Sequence, residues 1–211
     1  MTRFSLCILT LLIFFSCKNE KAISIEGFSN TGEYMDYSLK IEFGQDIDYI
    51  ELFDKNPSYI SNGFDFPVGK PNAKGYYNAQ KFQENNHLGD DWNGNGGGNS
   101  DLGDPIYAIG NGYVSIAEDL KGGWGNVVRV IHLYDGKLYE SLYAHCDSIY
   151  IDQKQFVKKG EQIATIGNCN GAYYAHLHLE IRDEVGLDIG GGYSTNTDGY
   201  LDPSAFIEKN R

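Results

Sequence analysis

Five histidines are spread through 211 residues, and four of them fall in three short segments. His87 and Asp91 stand four apart in HLGDD, His145 sits in YAHC, and His176 and His178 flank one leucine in AHLHLE. Imidazole and carboxylate together are the ligand set of a hydrolytic zinc site, where three protein groups hold the ion and a fourth position stays open to water. Each piece alone is weak: H-x-x-x-D arises often by chance, H-x-H in a strand is commonly a solvated face, and a lone histidine is commonly structural. Their joint occurrence points to a site.

Such groups need rigid elements to hold them. Side chains alternate along a strand, so HLHLEIR puts His176, His178 and Glu180 on one face and Leu177, Leu179 and Ile181 on the other. The same rule aligns Tyr139, Ser141, Tyr143 and His145 on one face of the preceding strand. If the two strands are neighbours, His145 can approach the His176/His178 pair. Strand signals are dense from Ile106 onward. PIYAIG and GYVSIAE meet at Gly110-Asn111-Gly112, and GNVVRVIHLY and KLYESLYAHC meet at Asp135-Gly136, both hairpin signatures. GEQIATIG and HLHLEIR complete the set. No window sustains a 3.6-residue rhythm, and 26 Gly with 16 Tyr against 2 Met favour a mainly β fold with little helix.

Upstream, residues 18–60 read as a polar lead-in with strand character in SLKIEF and DYIELF, either a small hairpin or a spacer. Residues 61–86 read as irregular, and WNGNGGGNSD after Asp91 as a long flexible loop. Asp91, Asn93, Asn95 and Gly96 match the opening of a calcium loop, but Leu102 stands where the closing glutamate belongs. The fifth histidine, His132, shares a face with Val128 and Val130 and reads as structural or rim.

A hydrophobic content of 41% with 14% aromatics is enough for a core, and the net charge of −12 argues against nucleic acid as a partner. The same charge favours a soluble monomer. The chain opens with a basic Met1-Thr2-Arg3, an apolar Phe4–Phe15 too short to span a bilayer, and Ser16-Cys17 before a polar KNEK. This resembles a bacterial lipoprotein signal. It implies export, a lipid anchor at Cys17 and a place in the cell envelope, on the periplasmic or surface face of a membrane. The expected organisation is a signal at 1–16, an anchor and lead-in at 17–60, and the main domain at 61–211. Cys146 and Cys169 remain in an oxidising setting, as a disulfide or as two free thiols.

HLGDDW, GDPIYAIGNGYV, WGNVVRVIH, LYAH, VKKGEQIATIGN, HLHLEI and YLDPSAF follow one another between His87 and Phe206. In this order they resemble the lysostaphin-type, LytM-like zinc metallopeptidases that cut peptidoglycan. The resemblance implies an antiparallel, barrel- or sandwich-like peptidase domain at 61–211 with a groove over its sheet. It implies one Zn²⁺ per chain held by His87, Asp91 and His178, with His145 and His176 as catalytic histidines acting on water and substrate. Zinc would bring water toward a pKa of about 7 and polarise the scissile carbonyl. NCNGAYYA departs from the family, which carries small hydroxyl residues, Gly and Pro there, and this touches the groove wall rather than the ligands. VKKGEQIATIG is also similar to lipoyl and biotinyl hairpins but lacks their modified lysine at a turn. Three functions follow: a zinc endopeptidase acting on cross-links or stem peptides of peptidoglycan, a non-catalytic wall-binding or regulatory module of the same fold, and a zinc peptidase acting on proteins.

Overall fold

Asp135 and Gly136 both adopt positive φ, 49° and 73°, as a type I′ hairpin turn requires. They join β7 (Asn126–Tyr134) to β8 (Lys137–Ile149), with Tyr134 opposite Lys137. The expected second hairpin does not form. None of Gly110, Asn111 and Gly112 reaches positive φ. The segment instead crosses between partners: β5 (Pro105–Tyr107) pairs with β10 (Gln162–Ile166), while β6 (Gly112–Asp119) pairs with β7 and with β9 (Phe156–Val157). Asn111 holds the crossing, donating to the Ile60 carbonyl and accepting from the Lys159 amide.

The computed structural model describes residues 26–28, 34–36 and 47–211. The proposed signal, Cys17 and SLKIEF lie outside the described residues. The chain divides into two units, 1–45 and 46–211. In the first, β1 (Glu26–Phe28) and β2 (Tyr34–Asp36) pair antiparallel with Glu26 opposite Asp36. In the second, β3 (Tyr76–Gln80), β4 (Asp90–Gly94), β11 (Leu177–Arg182), β8, β7, β6 and β9 lie side by side in that order, β10 joins β8 to β5, and β12 (Tyr200–Leu201) flanks β11. The mainly β, antiparallel fold with little helix is as expected. Among the described residues no helix is long and apolar enough to cross a membrane.

DYIELF is helical rather than extended. Asp48 accepts from the Glu51 amide as an N-cap, Glu51 pairs with Lys55 one turn on, and this forms α1 (Tyr49–Asp54). Its Phe53 is buried with Tyr113, Ile131 and Leu133 on one face of the sheet. The second unit therefore takes in α1, which precedes residue 61. Within the stretch read as irregular, Tyr76–Gln80 forms β3 and pairs with β4.

The opposite sheet face holds the larger core, with Leu177, Leu179, Ile181 and Tyr143 packed among Val128, Val130, Ile163 and Ile166. Each such side chain contributes about 1.5–3 kcal/mol by leaving water. The segment Pro203–Lys209 forms α2, capped by Asp202 through the Ala205 amide, and buries Phe206 and Ile207 in this core. Asp90 accepts from the Ser204 amide and hydroxyl, which ties β4 to α2 one residue before Asp91.

Candidate metal centre

Register builds the site. On β11, His178 stands directly opposite Asp91 of β4 on one side and Ala144 of β8 on the other. Residues facing one another across antiparallel strands project to the same side of the sheet. His178 and Asp91 thus meet on the face away from the Leu177, Leu179 and Ile181 core, as the alternation predicted. His87 arrives from the turn before β4, held by a bridge to Tyr193 and by the Leu88 amide on the Gly192 carbonyl. Gly89 makes this approach possible. A Cβ there would stand 2.4 Å from the Leu179 carbonyl and 2.9 Å from the His178 ring.

Three atoms converge. His178 Nδ1 lies 3.0 Å from His87 Nε2 and 3.0 Å from Asp91 Oδ1, and His87 Nε2 lies 3.3 Å from the same oxygen. Among the described residues this is the one group of such side chains close enough to hold a metal ion. Ligands about 2.0–2.2 Å from a tetrahedral zinc lie about 3.3–3.6 Å apart; the donor set suits that ion, one separation matches, and the other two are shorter by a few tenths of an ångström. The second ring nitrogen of His87 is buried without a partner. Burial works against charge on His178, but hydrogen bonds with Asp91 and Glu180 outweigh it and lift the ring to about 9. Burial alone would raise the Asp91 carboxyl, yet hydrogen bonds from His178 and His87 hold it well below the carboxylate range. The free side chains thus already pair positive charge with negative where a cation would take the positive role.

His145 reaches the same face by a route that simple alternation does not give. Asn126 faces Cys146 and Val128 faces Tyr143, so Val127 alone is matched by two residues, Ala144 and His145. This is a β-bulge, with His145 at φ 59°. Tyr139 and Tyr143 therefore face the core while His145 turns to the site, its ring 4.8 Å from His176 and 5.7 Å from His178. Burial, with His178 and His176 beside it, drops His145 to about 3. His176 stands just before β11, bridged to Gly167, and its Nδ1 lies 2.8 Å from the Tyr174 carbonyl. A carbonyl only accepts, so that nitrogen carries a proton, and Nε2 is the ring nitrogen left to face the site.

Cys146 and Cys169 are free thiols. Burial pushes Cys146 up to about 12, and the Cys169 sulfur lies 3.4 Å from His145 Nδ1. His132 belongs to the core: its two nitrogens lie 2.7 Å from the Asn111 carbonyl and 2.7 Å from the Ser141 hydroxyl.

A family model described as Peptidase family M23 matches residues 89–192. Lipoprotein NlpD of Yersinia enterocolitica is 40% identical over 80 residues, 38% of this chain and 78% of that protein. The chain belongs to peptidase family M23. Its match to the uncharacterized lipoprotein YgeR of Escherichia coli (strain K12) is 39% over the same share of the chain but covers 30% of that protein. For the murein hydrolase activator NlpD of Salmonella dublin the figures are 39% identity and 20% of the relative's length. Among solved structures, a chain of the SpoIIQ–SpoIIIAH pore-forming complex shares the fold, with a TM-score of 0.53 at 20% identity over 71% of this chain and 93% of that one. The catalytic domain of lysostaphin from Staphylococcus simulans aligns over 74% of this chain and 96% of its own at 21% identity and a TM-score of 0.45.

Around the three converging atoms this M23 chain builds an aromatic wall that the sequence reading did not assign. The Trp124 ring lies 5.5 Å from His178 and 6.3 Å from His145, fixed by its indole N–H on the Gly190 carbonyl. Tyr193 covers His87 at 5.1 Å. Tyr173, from the departing NCNGAYYA segment, lies 5.3 Å from His145 and is half exposed. Trp124 carried a signal, since it opens the quoted WGN stretch; Tyr193 follows three glycines with nothing to mark it. WNGNGGGNSD is better fastened than its composition suggests: Asn93 donates to the Ala175 carbonyl, and Asn99 accepts from the Ala175 amide.

Proposed function

We propose that this chain is an exported zinc endopeptidase that hydrolyses peptide cross-links or stem peptides of bacterial peptidoglycan. The convergence of His87 Nε2, Asp91 Oδ1 and His178 Nδ1 within 3.3 Å of one another carries the reading. These three residues would hold one Zn²⁺ per chain. Bound zinc supplies Lewis-acid polarisation of a carbonyl and acidifies water. Beside the three converging atoms, the rings of His145 and His176 would exchange a proton with water or substrate, His176 through its Nε2. The ring that takes the water's proton then becomes a donor to the developing oxyanion. Trp124 and Tyr173 shield one side of the reacting centre from bulk water. Relatives named lipoprotein NlpD and lipoprotein YgeR support a place in the envelope, with Cys17 as the lipid anchor.

The name murein hydrolase activator, given to the Salmonella relative, favours a second reading in which the domain stimulates another hydrolase. The full set of three converging groups and two flanking histidines weighs toward catalysis. One experiment separates the two. The purified protein should contain about one zinc per chain and release peptides from sacculi by itself. His178→Ala should lose both zinc and release, whereas His145→Ala and His176→Ala should keep zinc and lose release. A zinc-loaded protein that releases nothing alone but accelerates an added murein hydrolase makes it an activator. Full lytic activity in His178→Ala removes that residue from the ligand set.

A further inference from the structure

His178 can present Nδ1 to an ion only if its other nitrogen carries the proton and its ring is held in one plane. That nitrogen, Nε2, lies 3.1 Å from Glu180 Oε1. Glu180 is fully buried two residues along the same strand face. Its other oxygen accepts from Arg182 Nε at 2.9 Å and from Arg182 Nη2 at 2.6 Å. Arg182 is itself fully buried and reaches Glu140 Oε1 of β8 at 3.4 Å. Arg129 of β7 pairs with the same carboxylate. Two carboxylates and two guanidinium groups thus alternate across three strands and cancel in charge, ending on the imidazole of His178.

We infer that Glu180 is a positioning residue for the metal centre: it accepts the Nε2 proton of His178, fixes the tautomer that frees Nδ1, and is itself locked by Arg182. The inference rests on the metal reading proposed above. It adds a residue that touches neither ion nor substrate. A carboxylate behind a ligating histidine raises its basicity and sets its orientation, and losing one typically costs 10–100-fold in metal affinity.

The test is zinc affinity of the full protein by competition with a chromogenic chelator, with unfolding of the metal-free forms followed in parallel. Glu180→Gln keeps the shape, removes the charge, and should weaken zinc binding roughly 10–100-fold. Glu140→Gln breaks the same buried charge chain farther from His178. It should lower stability comparably while zinc affinity stays within about threefold. If Glu180→Gln does not fold, the charge-neutral double variant Glu180→Gln with Arg182→Gln carries the same expectation. Unchanged affinity in the folded Glu180 variant, or equal losses in the Glu180 and Glu140 variants, overturns the positioning role. His178→Ala separates this from the underlying reading. If it binds zinc as wild type does, the metal assignment fails; if it loses zinc while Glu180→Gln keeps it, only the present inference fails.

Discussion

His145 occupies left-handed backbone, where an L side chain costs about 1–2 kcal/mol. The position is held because the bulge aims the ring at His176 and His178 and lets the His145 amide donate to the Trp124 carbonyl. Strain of this kind concentrates where geometry serves a site. Two substitutions separate backbone from chemistry. His145→Gly should be more stable than His145→Ala by about 1 kcal/mol in urea unfolding, since glycine accepts that φ freely, and both should lack peptidase activity. Equal stability of the two would mean that the backbone relaxes and the bulge is not imposed by the fold.

At the scale of elements, α1 closes the second hydrophobic cluster over β6, β7 and β9. Phe53 meets Phe156 edge-on at 5.9 Å and is fully buried. Phe53→Ala should cost about 3–5 kcal/mol, measured by denaturant unfolding with the slope against denaturant unchanged, while zinc binding by the folded protein persists. Strand rhythm made β7, β8 and β11 legible, and Asp135-Gly136 made their turn legible, because alternation and primed turns are local chemistry. The run Tyr49–Asp54 was not legible as helix. Its length is under two turns, and its stability comes from the Asp48 cap and from Phe53 docking, neither of which a periodicity carries. The missing hairpin at Gly110–Gly112 has a similar cause: glycines permit a turn, but tertiary partners decided against one. The five site residues were readable as chemistry, whereas the bulge that delivers His145 and the walls formed by Trp124 and Tyr193 depend on long-range register.

For the molecule as a whole, buried imidazole sets a pH limit on stability. Burial lowers His132 to about 4 from its ordinary 6.5, against the hydrogen bond to the Asn111 carbonyl. The folded state therefore binds fewer protons than the unfolded state between those values. Stability from this group is whole above pH 6.5, falls as pH drops toward 4, and amounts to roughly 3 kcal/mol across the window. The difference in unfolding free energy between wild type and His132→Gln should shrink steadily from pH 7 to pH 4. A difference independent of pH would remove His132 as a source of the acid sensitivity. The bulge in β8 has a reach beyond the residue it aims. Ahead of it, odd-numbered residues such as Tyr139 and Tyr143 point into the core; just behind it Cys146, an even one, does, and a second shift in register against β10 returns the odd-numbered Ile149 to the same core. The strand changes phase where it leaves β7 and β11 and takes up β10. Two offsets in one strand thus let β8 hand a single side chain to the site and still return to the core beyond it.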